Sequence, residues 1–115
     1  FSIANLKPRV LSTSEILKQR QQEIVKLLPA WSEESLNIFA ENFFMDESLK
    51  RRKIATQKIY EEVGSVLSVQ EVHPENQLRG SFMIICEKKN LNIYFTLTPE
   101  TEALIQQLDL EVVSK

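Results

Sequence analysis

The stretch "SFMIICEKKNLNIYFTL", residues 81–97, decides the fold. Phe82, Ile84 and Cys86 alternate with Ser81, Met83 and Ile85, and after "EKKN" the same period of two returns at Ile93, Phe95 and Leu97. Two alternating runs joined by a short polar link spell an antiparallel hairpin with one apolar face. Outward from this hairpin, the period of two extends to strands near 65–73, 78–88, 91–98 and 104–113. Leu108, Leu110 and Val112 give the fourth strand its apolar face.

Upstream of Gly64 the period is helical. In "STSEILKQRQQEIVKLLPAW", Ser12 and Glu15 stand at capping-box spacing, Ile16, Leu17, Ile24, Leu27 and Leu28 form a stripe, and Pro29 ends it. Ser32 is placed to cap a second helix, in which Leu36, Phe39, Ala40, Phe43 and Phe44 recur at i, i+3, i+4, i+7 and i+8. A third helix runs from about Ser48 to Val63 with Leu49, Ile54, Ala55, Ile59 and Val63 apolar, and Gly64 suits its left-handed C-terminal position. The reading is an α+β domain: three N-terminal helices packed on a curved four-stranded antiparallel meander sheet. It spans 12–113, with 1–11 as an N-terminal extension or linker.

"VHPENQLRG", residues 72–80, holds the only histidine of the chain and reads as a hairpin rather than a catalytic corner. A turn over "PENQ" uses Pro74 for its fixed backbone angle and Asn76 for its tolerance of left-handed backbone; Asn90 plays that part in "EKKNL". This register sets Val69 opposite Phe82 and Leu67 opposite Ile84, so that both join the apolar face. Gly80 within a strand marks a bulge or bend, or a close approach by another backbone, and a curved sheet favours the bend. Arg79 falls beside Glu71 and Glu75 as a surface ion-pair former; an anionic ligand at the sheet edge is its alternative role.

Composition sets the outer limits. With 115 residues, 43% hydrophobic and 26% charged, the chain is one ordinary globular domain. It lacks the run of about 20 apolar residues that a membrane span requires. A net charge of −2 gives no basic footprint for nucleic acid. "KRRK", residues 50–53, lies between "MDE" and "EE" and reads as a solvated helix face. A single cysteine and a single histidine supply neither a disulfide nor a convergent metal site. Gly64 and Gly80 are too far apart for a phosphate loop. No cofactor is expected. The first residue, Phe1, is compatible with a mature form or an excised segment.

The helices "LNIFAENFFMDESLKRRKIATQKIYEEVG", the glycine before strand one and the closing "LTPETEALIQQLDLEVV" carry a resemblance. Over roughly 15–113, boundaries being soft by a few residues, the order of elements resembles the nuclear-transport-factor-2-like, or cystatin-like, cone. It is similar to accessory domains N-terminal to serine hydrolases of the beta-lactamase and penicillin-binding class. That resemblance implies an exported or periplasmic bacterial protein whose catalytic serine and lysine lie in another domain; no S-x-x-K occurs here. Isomerase-type relatives of the cone need two acidic groups in an apolar cavity. Asp109 falls on the face opposite Leu108 and Leu110, and Asp46 reads as a helix N-cap or loop residue.

Two sets of candidate residues follow. The outer sheet face is partly apolar, so Val66, Val72, Arg79, Met83, Ile85 and Tyr94 are a possible interaction face for a neighbouring domain or a second copy. Trp31, Phe39, Phe43, Phe82, Cys86 and Phe95 would line a pocket if the cone is open; otherwise they are core, with Trp31 wedging two helices and Cys86 behaving as a small hydrophobe. His73 and Cys86 lie at opposite ends of neighbouring strands and make no nucleophile–base pair. The expected function is a non-catalytic accessory or interaction domain. The alternative is a stand-alone small-molecule-binding or isomerase-like cone.

Overall fold

A computed structural model describes residues 14–29, 31, 33–41, 43–46, 48–100 and 103–115, with the side chains at 33–35 and 46 left undescribed. The extension 1–11, Ser12 and Ser32 lie outside the described residues. Helices come first and an open, curved antiparallel sheet second, as the periodicity requires. They are α1 (Glu15–Leu27), a 3-10 helix (Glu33–Ile38), α2 (Phe43–Asp46) and α3 (Leu49–Val63). The strands are β1 (Val66–Val69), β2 (His73–Asn76), β3 (Arg79–Cys86), β4 (Asn90–Leu97) and β5 (Ile105–Val113).

Ser14 caps α1: its hydroxyl oxygen accepts from the Leu17 amide at 3.3 Å and its hydroxyl donates to the Gln77 carbonyl at 2.9 Å. One side chain thus satisfies a helix end and pins it to the β2–β3 turn. Leu17, Ile24 and Leu27 face the sheet as their spacing predicts. Arg20, one turn after Leu17, enters the same buried face at 6% exposure. Its Nε donates to the Ala103 carbonyl at 2.9 Å and its guanidinium pairs with Glu23 at 2.6 Å, which compensates the burial of charge.

The second helix is not continuous. Its apolar spacing survives in the burial of Phe39, Ala40 and Phe43, but the backbone breaks at Phe39, which forms a parallel bridge with Ile105. The Ala40 amide donates to the Ile105 carbonyl at 2.8 Å. A backbone hydrogen bond to β5 replaces a helical one, so tertiary pairing overrides the local period. Asp46, read as a cap or loop residue, closes α2.

Ser48 caps α3, accepting from the Arg51 amide at 3.3 Å, and Gly64 ends it at φ 83. The stripe differs from the expected one. Thr56 and Val63 are buried, with Leu49, Ile59 and Tyr60 beside them, whereas Ile54 is exposed. Positions 49, 52, 56, 59/60 and 63 keep the helical spacing; position 54 turns away from that line.

The expected first strand is two strands. β1 and β2 both pair antiparallel with β3, and β3–β4–β5 complete the meander. The hairpin turn sits at Gln77–Leu78, later than "PENQ", with Asn76 opposite Arg79. Val69 therefore faces Ile84 instead of Phe82. Asn76 works through its side chain, whose Oδ1 accepts from the Leu78 amide at 2.7 Å. Asn90 likewise accepts from the Cys86 amide. Neither is left-handed: among the described residues positive φ occurs at Gly64 and Trp31. At Gly80 a close approach by another backbone accompanies a bulge in the facing strand, between Pro74 and Asn76. A Cβ there would lie 2.8 Å from the His73 carbonyl oxygen and 3.1 Å from the Pro74 Cα.

Bulges in β1 and β2 change which residues reach the interior. Val72, expected on the outer face, is 6% exposed and belongs to the core. Leu67 and Val69, expected on the apolar inner face, are 61% and 40% exposed. In β3 and β4 the alternation holds, burying Phe82, Ile84, Cys86, Leu91, Ile93, Phe95 and Leu97 under α1 and the aromatic residues of the helical half.

Candidate functional site

Among the described residues β1 presents an unusual surface. Val66, Leu67 and Val69 are 45%, 61% and 40% exposed, and among the described residues β1 is paired only with β3. Its other rim presents backbone donors and acceptors beside apolar side chains. Edge strands are normally blunted by charge, proline or brevity. "VLSV" has brevity alone. Alongside runs a cleft of about 350 Å³ between α1 and the end of β1, lined by Gln21, Gln22, Val25, Lys26, Val69, Gln70 and Glu71. Gln21 Nε2 donates to the Gln70 carbonyl at 2.8 Å across it.

The expected interaction face divides. Met83, Ile85 and Tyr94 are half-buried on the outer sheet face, with Ile85 opposite Ser68 of β1, Met83 opposite Asn92 and Tyr94 opposite Ser81 and Asp109. Val66 lies on the edge itself and Val72 in the core. Arg79 stands at the far end of β3, exposed and ion-paired with Glu75 at 3.3 Å. Met83 and Ile85 continue the apolar surface of β1, while Tyr94 and Arg79 belong to a polar column with Thr96, Gln107 and Asp109.

The expected pocket residues also divide. Phe82, Cys86 and Phe95 are fully buried, and the Phe82 and Phe95 rings meet edge to face at 6.0 Å. Phe39 stacks on Trp31 at 5.7 Å and lies 4.4 Å from Phe43. These rings pack against one another. Trp31 alone of the six lines a cleft described here, about 200 Å³ between α3 and β5, with Arg52, Thr56, Ile59, Leu108 and Asp109. Its indole Nε1 donates to Thr56 Oγ1 at 3.1 Å, and its backbone sits at φ 51, a left-handed conformation that a bulky side chain rarely adopts. Asp109 is exposed, sits on the rim of this cleft and accepts from Gln107 Nε2 at 2.6 Å.

His73, opposite Ser81, and Cys86 are separated by five residues of β3, about 17 Å along a strand. Burial pushes the Cys86 thiol pKa up, and the thiol donates to the Ile84 carbonyl. Burial also pushes Tyr60 up to about 12, with Cys86 adding to the shift. Both shifts favour the protonated form, as the desolvation of packed side chains does. Among the described residues no three His, Cys, Asp or Glu side chains cluster as metal ligands, and no helix is long and apolar enough to cross a membrane.

The expected meander already places 65–73 at an edge; what sequence reasoning missed is that Leu67 and Val69 face outward there, because the bulges in β1 and β2 alter which residues turn inward. The available signal was Pro74, which belongs on an edge or at a bulge and sits where the register of β2 shifts. No family model matches the chain, and neither a curated protein nor a solved structure matches it.

Proposed function

We propose that this chain is a non-catalytic interaction domain of the cone type, akin to the accessory domains of serine hydrolases, and that β1 is its binding element. The observation that carries the proposal is the exposure of Val66, Leu67 and Val69 on an edge strand whose second rim is unpaired among the described residues. Such a strand binds by accepting another: backbone hydrogen bonds give affinity and side-chain contacts give register.

A second copy is the partner that fits. Two β1 strands running antiparallel about a two-fold axis bring Val66 toward Val69 of the partner subunit, an isologous contact in which each apolar residue meets another or a serine. Met83 and Ile85 widen the contact on the outer face.

Light scattering against concentration tests this, together with amide hydrogen exchange at 66–69. The expected result is a concentration-dependent dimer with slow exchange in β1, converted to monomer by Leu67→Lys with unchanged circular dichroism. A monomer at the highest soluble concentration, with fast exchange across β1, overturns it.

The left-handed Trp31 beside the smaller cleft favours a second reading, a small-molecule site between α3 and β5. Trp31 is the only tryptophan, so a ligand entering there changes its fluorescence. An unchanged spectrum across a library of small amphipathic compounds would remove that reading.

A further inference from the structure

We infer that the exposed face of α3 docks on an anionic lipid surface. In its first half Lys50, Arg51 and Lys53 are exposed, and Lys58 is exposed one turn further on. Ile54, 45% exposed, sits among them at i−4, i−3, i−1 and i+4. Immediately before α3, on α2, Met45 is 81% exposed. The two helices are held together by Arg52, whose guanidinium lies 4.0 Å over the Phe43 ring.

The charges on α3 segregate. No ion pair among the described residues engages Lys50, Arg51, Lys53 or Lys58. Glu62, at the other end of the helix, is taken by Lys89 at 2.8 Å. Asp46 and Glu47 precede the helix in sequence and Glu61 is exposed in its last turn, three acids besides the paired Glu62 against four exposed cations, in a chain whose net charge is −2. The excess of positive charge is therefore confined to residues 50–58, and the compensation expected for "KRRK" comes from acids at the two ends of the helix rather than from ion pairs with Lys50, Arg51 or Lys53.

The mixture of side chains selects the partner. Phosphates of a nucleic acid or carboxylates of an acidic protein would engage the cations but give Ile54 and Met45 no apolar seat. At a bilayer surface, cations reach the headgroups while neighbouring apolar side chains enter the headgroup–acyl boundary. Four cations give a weak, reversible and salt-sensitive attachment. Because β1 is not involved, this face operates whether the chain is a monomer or a dimer.

Co-sedimentation of the full chain with phosphatidylcholine vesicles, with and without phosphatidylserine, tests the inference. The chain is expected to sediment with the anionic vesicles only and to be released by salt. The double substitution Lys50→Gln/Lys53→Gln should weaken binding on the order of tenfold or more, since each basic residue contributes about fivefold. Ile54→Ser should weaken it without altering circular dichroism. Failure to sediment with either vesicle, equal sedimentation with both, or undiminished binding by the double variant overturns the inference. Undiminished binding by Ile54→Ser also overturns it, because charge alone would then hold the vesicle and the apolar side chain that selects a bilayer would have no part.

Discussion

Arg20 and Ala103, 83 residues apart, are joined by a 2.9 Å hydrogen bond from the guanidinium Nε to the backbone carbonyl. The bond ties the first helix to the connection entering the last strand. It also places a charge in an otherwise apolar face, where Glu23 partly neutralises it.

Arg20→Ala removes the donor and leaves the Ala103 carbonyl without its partner in a buried site. The expected cost is about 2–3 kcal/mol, a lost charge-assisted hydrogen bond plus lost packing of the arginine stem. Arg20→Met keeps the stem and should cost less. Urea denaturation midpoints of the two variants check the order; an Ala variant as stable as the parent would contradict this account.

Trp31 and Thr56 form a second buried pair, which a double-mutant cycle can isolate. Thr56→Val leaves the indole N–H without an acceptor and should cost about 1–3 kcal/mol; Trp31→Phe removes the donor and should cost about 1 kcal/mol beyond its change in volume. The double variant should cost less than the sum. Additivity would mean that the 3.1 Å contact contributes little.

Gly80→Ala tests the close approach within the β2–β3 hairpin. A methyl group 2.8 Å from the His73 carbonyl oxygen forces the backbone apart, and overpacking of this kind costs roughly 1–3 kcal/mol. Amide exchange should accelerate in 73–80 more than in β4. A neutral substitution would show that the strands part freely.

Tyr60 supplies a pH signature. Burial raises its pKa to about 12 in the folded chain, so folding favours the protonated phenol. Its stabilising contribution is complete below the ordinary tyrosine pKa of about 10 and is lost as pH rises through about 12. Ultraviolet titration should show a late phenolate phase that Tyr60→Phe abolishes. The same substitution should reduce the fall in stability between those pH values.

Layer order and most of the sheet were legible because β3 and β4 bury alternate residues without interruption from Phe82 to Cys86 and from Leu91 to Leu97. The first strand was less legible. Its pairing depends on a turn at Gln77–Leu78 and on bulges, and a shift of turn changes every opposed pair. That single displacement took Val72 inward and left Leu67 outward. The break at Phe39 was hidden for another reason: the amide of Ala40 bonds to a residue 65 positions away, which no local period reports. The candidate edge thus emerged from register, while Arg79–Glu75 could be read from spacing alone.

Three ties bind early residues to late ones: Ser14 to Gln77, Arg20 to Ala103, and Phe39 to Ile105. During synthesis, α1 therefore emerges well before the segments that anchor it, and a 13-residue helix alone is marginal in water. The domain closes as a unit only after β5 has left the ribosome. Such long-range closure favours slow folding and exposes nascent chains stalled short of β5 to proteolysis.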